Sequence, residues 1–313
     1  MKIAILVISL ISLSVISLLI GPISINNIFN MTYDQQLVMV ISRIPRLISV
    51  IITGISMSIA GLIMQCITKN KFVAPTTAGT MEGARLGILI SMLVGTSTLF
   101  MRGIFAFFFT FATTLIFIKI INLIKFRNII FIPLVGIMYG NILASIAMYF
   151  AYTQNIVQNL NTWLIGDFSA ILRGRYEMLY ITIPVLIASY IFADKFVIAS
   201  IGKDFSKNLG VNYNFILTIG MILVSILSTS VLLTVGVIPF LGVVVPNIVS
   251  MIFGDNLKKT LPLVALGGAI FLLICDIIGR LIIHPFEIPI SLTVGVIGGM
   301  VFLYLLLKRG AYA

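Results

Sequence analysis

Charge is scarce in this chain. Of its 313 residues only 9% are Asp, Glu, Lys or Arg, where a soluble domain carries about 25%. No long stretch is polar enough to form a water-facing surface, so a soluble globular domain is excluded. Acid is scarcer than base, nine residues against twenty. The resulting +11 does not mark a nucleic-acid binder, because the basic residues lie scattered in short loops without clustered aromatics. There is one histidine, His284, and it shares a short loop only with Glu287; two residues do not make a metal site. The two cysteines, Cys66 and Cys275, sit in apolar segments without metal-ligand spacing and read as core fillers. No G-x-x-x-x-G-K-[ST] loop occurs, so the chain does not itself bind and hydrolyse ATP. No nucleophile–base arrangement argues for an enzyme, and no cofactor is expected on this chain.

What is there in excess is apolar sequence, 60% of all residues. A membrane span needs about 20 predominantly apolar residues. The chain predicts ten, making an all-α polytopic membrane protein of one transmembrane domain, residues 1–313. The first run, 3–20, lacks an A-x-A cleavage pattern and ends at Gly21-Pro22, so it reads as a span and not a signal peptide. Further spans are predicted over about 47–67, from an irregular Ala74-Pro75-Thr76-Thr77 to about 92, and over 103–118, 129–152, up to 193, 215–235, 261–283 and 289–307. The eighth, 241–253, has only 13 residues and contains Pro246; short or broken helices at membrane depth often mark a transport path. Two long polar loops are expected at 23–42 and 153–177, the second with a short surface helix near 156–165 and the single tryptophan, Trp163, as an interfacial anchor.

The most informative polar interruption is residues 194–214, DKFVIASIGKDFSKNLGVNYN. Val197, Ile201, Phe205 and Leu209 recur every four residues, an apolar helical stripe, with Lys203, Asp204 and Lys207 off it. Gly202 and Gly210 are places for helices to bend or stop, Gly210 as a C-cap. Two readings stand here, an interfacial loop or a pair of short helices pressed on a soluble partner.

Counting alternate loops, thirteen basic residues fall on the side of 194–214 and both termini, and eleven of them are lysines. The positive-inside rule therefore puts the termini and this loop in the cytoplasm. The six basic residues of the other side, Arg43, Arg46, Arg102, Arg173, Arg175 and Arg280, are all arginines. Arginine suits bidentate capture of carboxylates, so this asymmetry points to an acidic partner outside. Arg43-Ile44-Pro45-Arg46 would open the second span, with Pro45 in its first turn. Its two arginines are either snorkelling anchors or outward-facing carboxylate receptors.

The run RIPRLISVIITGISMSIAGLIMQCITKNKFVAPTTAGTMEGARLG, the run ASIGKDFSKNLGV and the C-terminal runs IPFLGVVVPNIVSMIFGDN, LPLVALGGAIFLLICDIIGR and PISLTVGVIGGMVFLYLLLKRG resemble ABC permeases for iron–siderophores and cobalamin, the FecCD-like family. The resemblance covers nearly the whole chain. KNKFVAPTTAGTMEGARLG and VPNIVS are most similar to the branch importing ferric catecholate and petrobactin-type siderophores. Asn247 and Ser250 stand where the commoner pattern has His and Arg, a departure that cautions against transfer of cargo from distant members. The resemblance implies a permease that pairs with a second permease subunit, the same or a homologous chain. Two ATPase subunits, which carry ATP and Mg, would dock on one side and an extracytoplasmic siderophore-binding protein on the other. It implies that Arg43, Arg46 and Arg280 receive glutamates of the binding protein, with Asp276 four residues before Arg280 as a rival partner. It implies that Ser200, Ile201, Gly202, Lys203, Phe205, Leu209 and Gly210 belong to the elements that couple to the ATPase. Glu82 and Arg85, three apart in the third span, either neutralise each other in packing or face the translocation path. Glycines such as Gly54, Gly61, Gly136 and Gly268 are expected at close helix contacts. Cobalamin or haem are alternative cargoes. An ion-coupled secondary transporter is the alternative class, with only Glu82 and Asp276 as intramembrane acids to serve it.

Overall fold

The protein was analysed as a computed structural model, which describes residues 2–21, 32–95, 98–123, 131–254 and 256–310. Lys125, Arg127 and part of the predicted 23–42 loop lie outside the described residues, as do the side chains of Lys2, Lys308 and Arg309. Fourteen α-helices occur among the described residues. They are α1 (Lys2–Leu19), α2 (Tyr33–Val38), α3 (Ile44–Thr68), α4 (Thr80–Leu93), α5 (Leu99–Leu123), α6 (Phe131–Thr153), α7 (Val157–Thr162), α8 (Thr182–Ile191), α9 (Ala193–Ile201), α10 (Lys203–Asn208), α11 (Tyr213–Thr234), α12 (Leu241–Phe253), α13 (Leu257–Leu281) and α14 (Ile290–Gly310). Six helices among the described residues are long and apolar enough to cross a membrane alone, and the pair 177–191 and 193–201, bent by 57° at Phe192, is apolar and long enough for a seventh only if taken together. α1, α4 and α12 are shorter. Together these account for the ten predicted apolar segments, and the α12 bounds coincide with prediction.

α3 is the hub. It packs on α13, α11, α12 and α9, while α4 packs on α5 and α6, and α1 on α13. Lipid is as apolar as leucine, so helices in a membrane are held mainly by close van der Waals contact through small residues. The chain supplies that contact where α3 crosses its neighbours. A side chain on Gly61 would overlap the Gly242 backbone, and one on Gly54 would reach 2.5 Å from the Gly268 carbonyl. Buried hydroxyls largely satisfy themselves locally. Ser49, Thr68, Thr110 and Thr114 donate to carbonyls four residues back, and Thr110 meets Thr229 across α5 and α11 at 3.2 Å.

One prediction is corrected here. Residues 33–43 are not loop. Thr32 and Gln35 form a capping box at the start of α2, and a π-helical stretch, Met39–Arg43, joins α2 to α3 in one continuous rod from Tyr33 to Thr68, 36 residues long. Polar Asp34, Gln35 and Gln36 had hidden this start. Pro45 lies in the first turn of α3, as predicted, although the rod runs on before it. At 1.5 Å per residue the rod measures about 54 Å, roughly 24 Å more than a hydrocarbon core, so it projects beyond the membrane, and Tyr33 at its end is 77% exposed.

α12 begins deep in the bundle, where Gly242 touches Gly61. The preceding stretch is irregular and buried: Gly236 has φ +104, Ile238 is fully buried, and Phe240 adopts φ +60. Non-helical backbone at this depth needs partners inside the protein. It finds them in the loop before α8, through a bridge between Ile165 and Val237 and a bond from Asp167 N–H to Val235 O at 2.9 Å.

Candidate functional site: an arginine rim and a helical elbow

The end of the bundle where α1 and α13 finish and α3 enters is built around four charges. Arg46 donates from Nε and Nη2 to Asp276 Oδ1, at 3.2 and 2.8 Å, and from Nη1 to Glu287 Oε2 at 2.6 Å. Asp276 is also paired with Arg280 at 2.7 Å, one helical turn along α13. Arg280 in turn donates to Ser17 O, Ile20 O and Ser17 Oγ at the end of α1. Arg43, buried, donates to Leu18 O and Leu19 O. A helix C-terminus carries orphan carbonyls and the negative end of the dipole, so these two arginines cap α1 as cations suited to it.

The three arginines singled out in the sequence are thus brought to one rim, and each is already engaged inside the chain. The Asp276–Arg280 pair follows from their spacing. Sharing of Asp276 by Arg46 carried no sequence signal, because the two are 230 positions apart. Glu287, considered in the sequence only beside His284, is the second carboxylate on Arg46 and was missed.

A second group of arginines stands outside this knot. Arg173 and Arg175 are exposed at the tip of the loop before α8. Gly174 between them has φ +96, and its N–H donates to Glu177 Oε1 at 2.7 Å. Arg173 N–H donates to Ile41 O at 2.9 Å. Pro45, four residues past Ile41, has no N–H to offer that carbonyl, so the loop is strapped to the projecting rod at the point where proline leaves an acceptor open. Tyr180 hydrogen-bonds Tyr176 at 3.1 Å, which pushes the Tyr176 phenol up to about 12 and keeps it neutral beside Arg173. Arg102 lies over the half-buried Trp163 ring, 5.7 Å from its centroid.

At the opposite end, 194–214 forms an elbow of two short helices, α9 and α10. Gly202, at φ 146 and ψ 169, separates them. α10 closes with Gly210 at φ +70, Gly210 N–H on Lys207 O and Val211 N–H on Ser206 O at 2.8 Å, a Schellman-type end. The predicted apolar stripe is split: Val197 packs on the core, Ile201 and Phe205 line the cavity between the elbow and the bundle, and Leu209 is exposed. Ile201, Phe205 and Leu209 are 57%, 45% and 54% exposed, whereas Ala193, Phe196, Ala199 and Ser206 are buried. The reason is the break at Gly202, which turns α10 so that Ser206 Oγ bonds Gly202 O and Ile198 O. Ser200 is spent on Val197 O, and Lys203 is exposed. A cavity of about 740 Å³ separates the elbow from the ends of α3, α5 and α6, with Lys69, Lys203 and Tyr213 in its wall. Lys258 of α13 pairs with Asp194 at 2.7 Å and ties the elbow to the bundle.

Glu82 and Arg85 pair with each other on α4 at 3.5 Å. Arg85 is buried, and its Nε and Nη2 find no hydrogen-bond acceptor among the described residues.

The FecCD transport family model matches residues 4–308. The petrobactin import system permease protein YclN of Bacillus subtilis is 52% identical over all of both chains. The ferric-anguibactin transport system permease protein FatD of Vibrio anguillarum is 41% identical over 88% of this chain and 89% of its own. A solved structure described as an inward-facing conformation of a putative metal-chelate type ABC transporter superposes with TM-score 0.81 over 98% of each chain, at 23% identity, which bears on fold alone. A multi-pass bundle with this match from end to end is a membrane protein of known kinship: the chain belongs to the FecCD transport family.

Proposed function

We propose that this chain is the transmembrane permease of an ATP-driven importer that carries a ferric siderophore of the petrobactin kind across the cell membrane. The observation that carries this reading is the 52% identity to a petrobactin import permease with no part of either chain left over. A second relative, 38% identical over 97% of this chain, is a petrobactin permease of Bacillus anthracis.

In this reading the chain binds no nucleotide. It pairs with a second permease subunit, and two ATPase subunits meet the elbow. The exposed Ile201, Phe205 and Leu209 offer an apolar face to them, flanked by Lys203 and Lys207. Nucleotide-driven movement of that face would shift the paired permeases between two access states, through contacts that differ in each. The binding protein meets the other end. Arg43, Arg46 and Arg280 support its docking there, with Arg46 the most available of the three. One of the two carboxylates of Arg46, Glu287, is partly exposed, with a side-chain accessibility of 22% against 2% for Asp276. An incoming glutamate would take the place of Glu287. The termini and the elbow then face the cytoplasm, in keeping with the lysines.

The test is uptake of radioactive iron as ferric petrobactin by cells whose own permease gene is deleted and replaced with this one. Restored uptake that ferric anguibactin competes for poorly is the expected result. Cells that remain without uptake while the protein is present in the membrane would overturn the cargo assignment.

A further inference from the structure

We propose that Glu82 is a weak subsite for a protonated amine of the cargo, on a wet face shared by α4 and α6. This rests on the reading of the chain as a siderophore permease, and adds a chemical feature by which the passage would recognise what it carries.

Depth is the first observation. A side chain on Gly140 would stand 3.6 Å from Glu82 Cγ, so Glu82 lies against the middle of the 23-residue α6. At 1.5 Å per residue Gly140 is about 14 Å from one end of that helix and about 20 Å from the other, well inside a hydrocarbon core about 30 Å thick. Yet the Glu82 side chain is 31% exposed. An ionisable group at this depth is costly against lipid, and faces a partner or a water-filled cavity instead.

The surroundings favour water. α6 is the least buried of the six helices long and apolar enough to cross a membrane alone. Asn141, next to Gly140, and Ser145, one turn on, are both exposed. Met148 and Tyr152 continue the same stripe, 37% and 76% exposed. Acyl chains make no hydrogen bonds with such a stripe, whereas a polar solute does.

Charge selects the occupant. Arg85 lies behind Glu82 with its side chain only 8% exposed, so the carboxylate is the group presented at the surface. The pair is loose. Arg85 Nη1 is 3.5 Å from Glu82 Oε2, well beyond the roughly 2.8 Å of a charge-assisted hydrogen bond, and Oε2 makes no hydrogen bond among the described residues. The carboxylate therefore keeps acceptor capacity for a positively charged donor, while Arg85 offsets enough charge to keep the hold weak. A transit site has to release what it admits. A bare metal ion fits less well, because no three His, Cys, Asp or Glu side chains gather as ligands among the described residues.

The experiment measures uptake of radioactive iron by cells that carry this permease in place of their own and keep one binding protein throughout. Iron is presented as two catecholate chelates on the same linker, one with a protonated secondary amine and one with that nitrogen acetylated. Parent, Glu82→Gln and Glu82→Asp are compared over a range of chelate concentrations, and co-purification of the second permease and the ATPase reports assembly. Each variant is set against the parent on the same chelate, so the binding protein's own preference cancels. For Glu82→Gln the expected result is an apparent KM for the amine chelate raised about fivefold or more, at least about three times the change seen with the acetylated one, and Glu82→Asp should stay within about twofold of the parent. Equal losses on both chelates, or loss of assembly, assign Glu82 to helix packing with Arg85 and overturn the proposal. Parent-like uptake of both by Glu82→Gln overturns it too. An assembled parent that takes up neither chelate sinks the importer reading with it.

Discussion

Arg46 shows what a single residue can be asked to do. Its guanidinium spends three of its donors on two carboxylates, and with Arg280 the cluster balances two positive against two negative charges. Balance matters because a buried charge without a partner costs several kcal/mol. Glu287 is the member that can leave at least cost, since it alone of the acids reaches solvent appreciably. Replacing it should therefore act opposite to replacing Arg46. Glu287→Gln is expected to tighten capture of the binding protein about threefold or more, because a neutral amide competes less well for the guanidinium. Arg46→Gln should weaken it. Affinity measured on the purified complex decides, and an unchanged Glu287→Gln means that no incoming carboxylate uses Arg46. Little of this was legible from sequence. The Asp276–Arg280 pair could be read from spacing within one helix, but the carbonyl partners of Arg43 and Arg280 leave no mark, because every residue has a carbonyl.

Among the elements, the elbow is the one whose local chemistry speaks most plainly. Gly202 and Gly210 punctuate it where the sequence placed breaks, and Gly210 takes the left-handed conformation that only glycine adopts without strain. Nothing lies within 4 Å of where its side chain would be, so a substitution there tests backbone conformation and not crowding. Gly210→Val is expected to cost about 1–2 kcal/mol at the end of α10. It should cut transport to less than half and loosen its coupling to ATP hydrolysis, while membrane levels stay at those of the parent. Uptake and ATPase rates measured side by side check this, and full transport would refute it. The stripe at 197, 201, 205 and 209 was recognisable by period, but its direction was not. Periodicity tells which residues share a face; it does not tell whether the face looks into the bundle or away from it. The same limit explains the missed start of the long rod. A capping box is a local signal, and Asp34, Gln35 and Gln36 lower the apolar average that marks a span.

For the molecule as a whole, the apolar blocks were readable because membrane depth imposes their length. The distribution of lysine and arginine adds a direction. With the termini inside, a cysteine at position 207 should be protected from an impermeant thiol reagent in intact cells and one at 159 should react, Cys66 and Cys275 having been replaced first. Labelling in the reverse order would invert the proposed orientation. The two ends are joined by one object, the rod from Tyr33 to Thr68. About 20 Å from its outer end it carries Arg46, and its last residue, with Lys69 beyond it, stands in the wall of the cavity beside the elbow. Where it crosses α12 and α13 the contacts at Gly61 and Gly54 are backbone to backbone, with Gln65 on Gly242 O and Arg46 on Asp276 as the side-chain ties across the same helices. A tilt of about 5° about the middle of a ~54 Å shaft displaces each end by about 2 Å in opposite senses. If the proposed nucleotide-driven movement tilts this rod, the lever would work in both directions: a load on the outer arm would be felt at the inner one, and the energy by which nucleotide favoured one tilt would equal that by which it tightened or loosened the grip at the far tip.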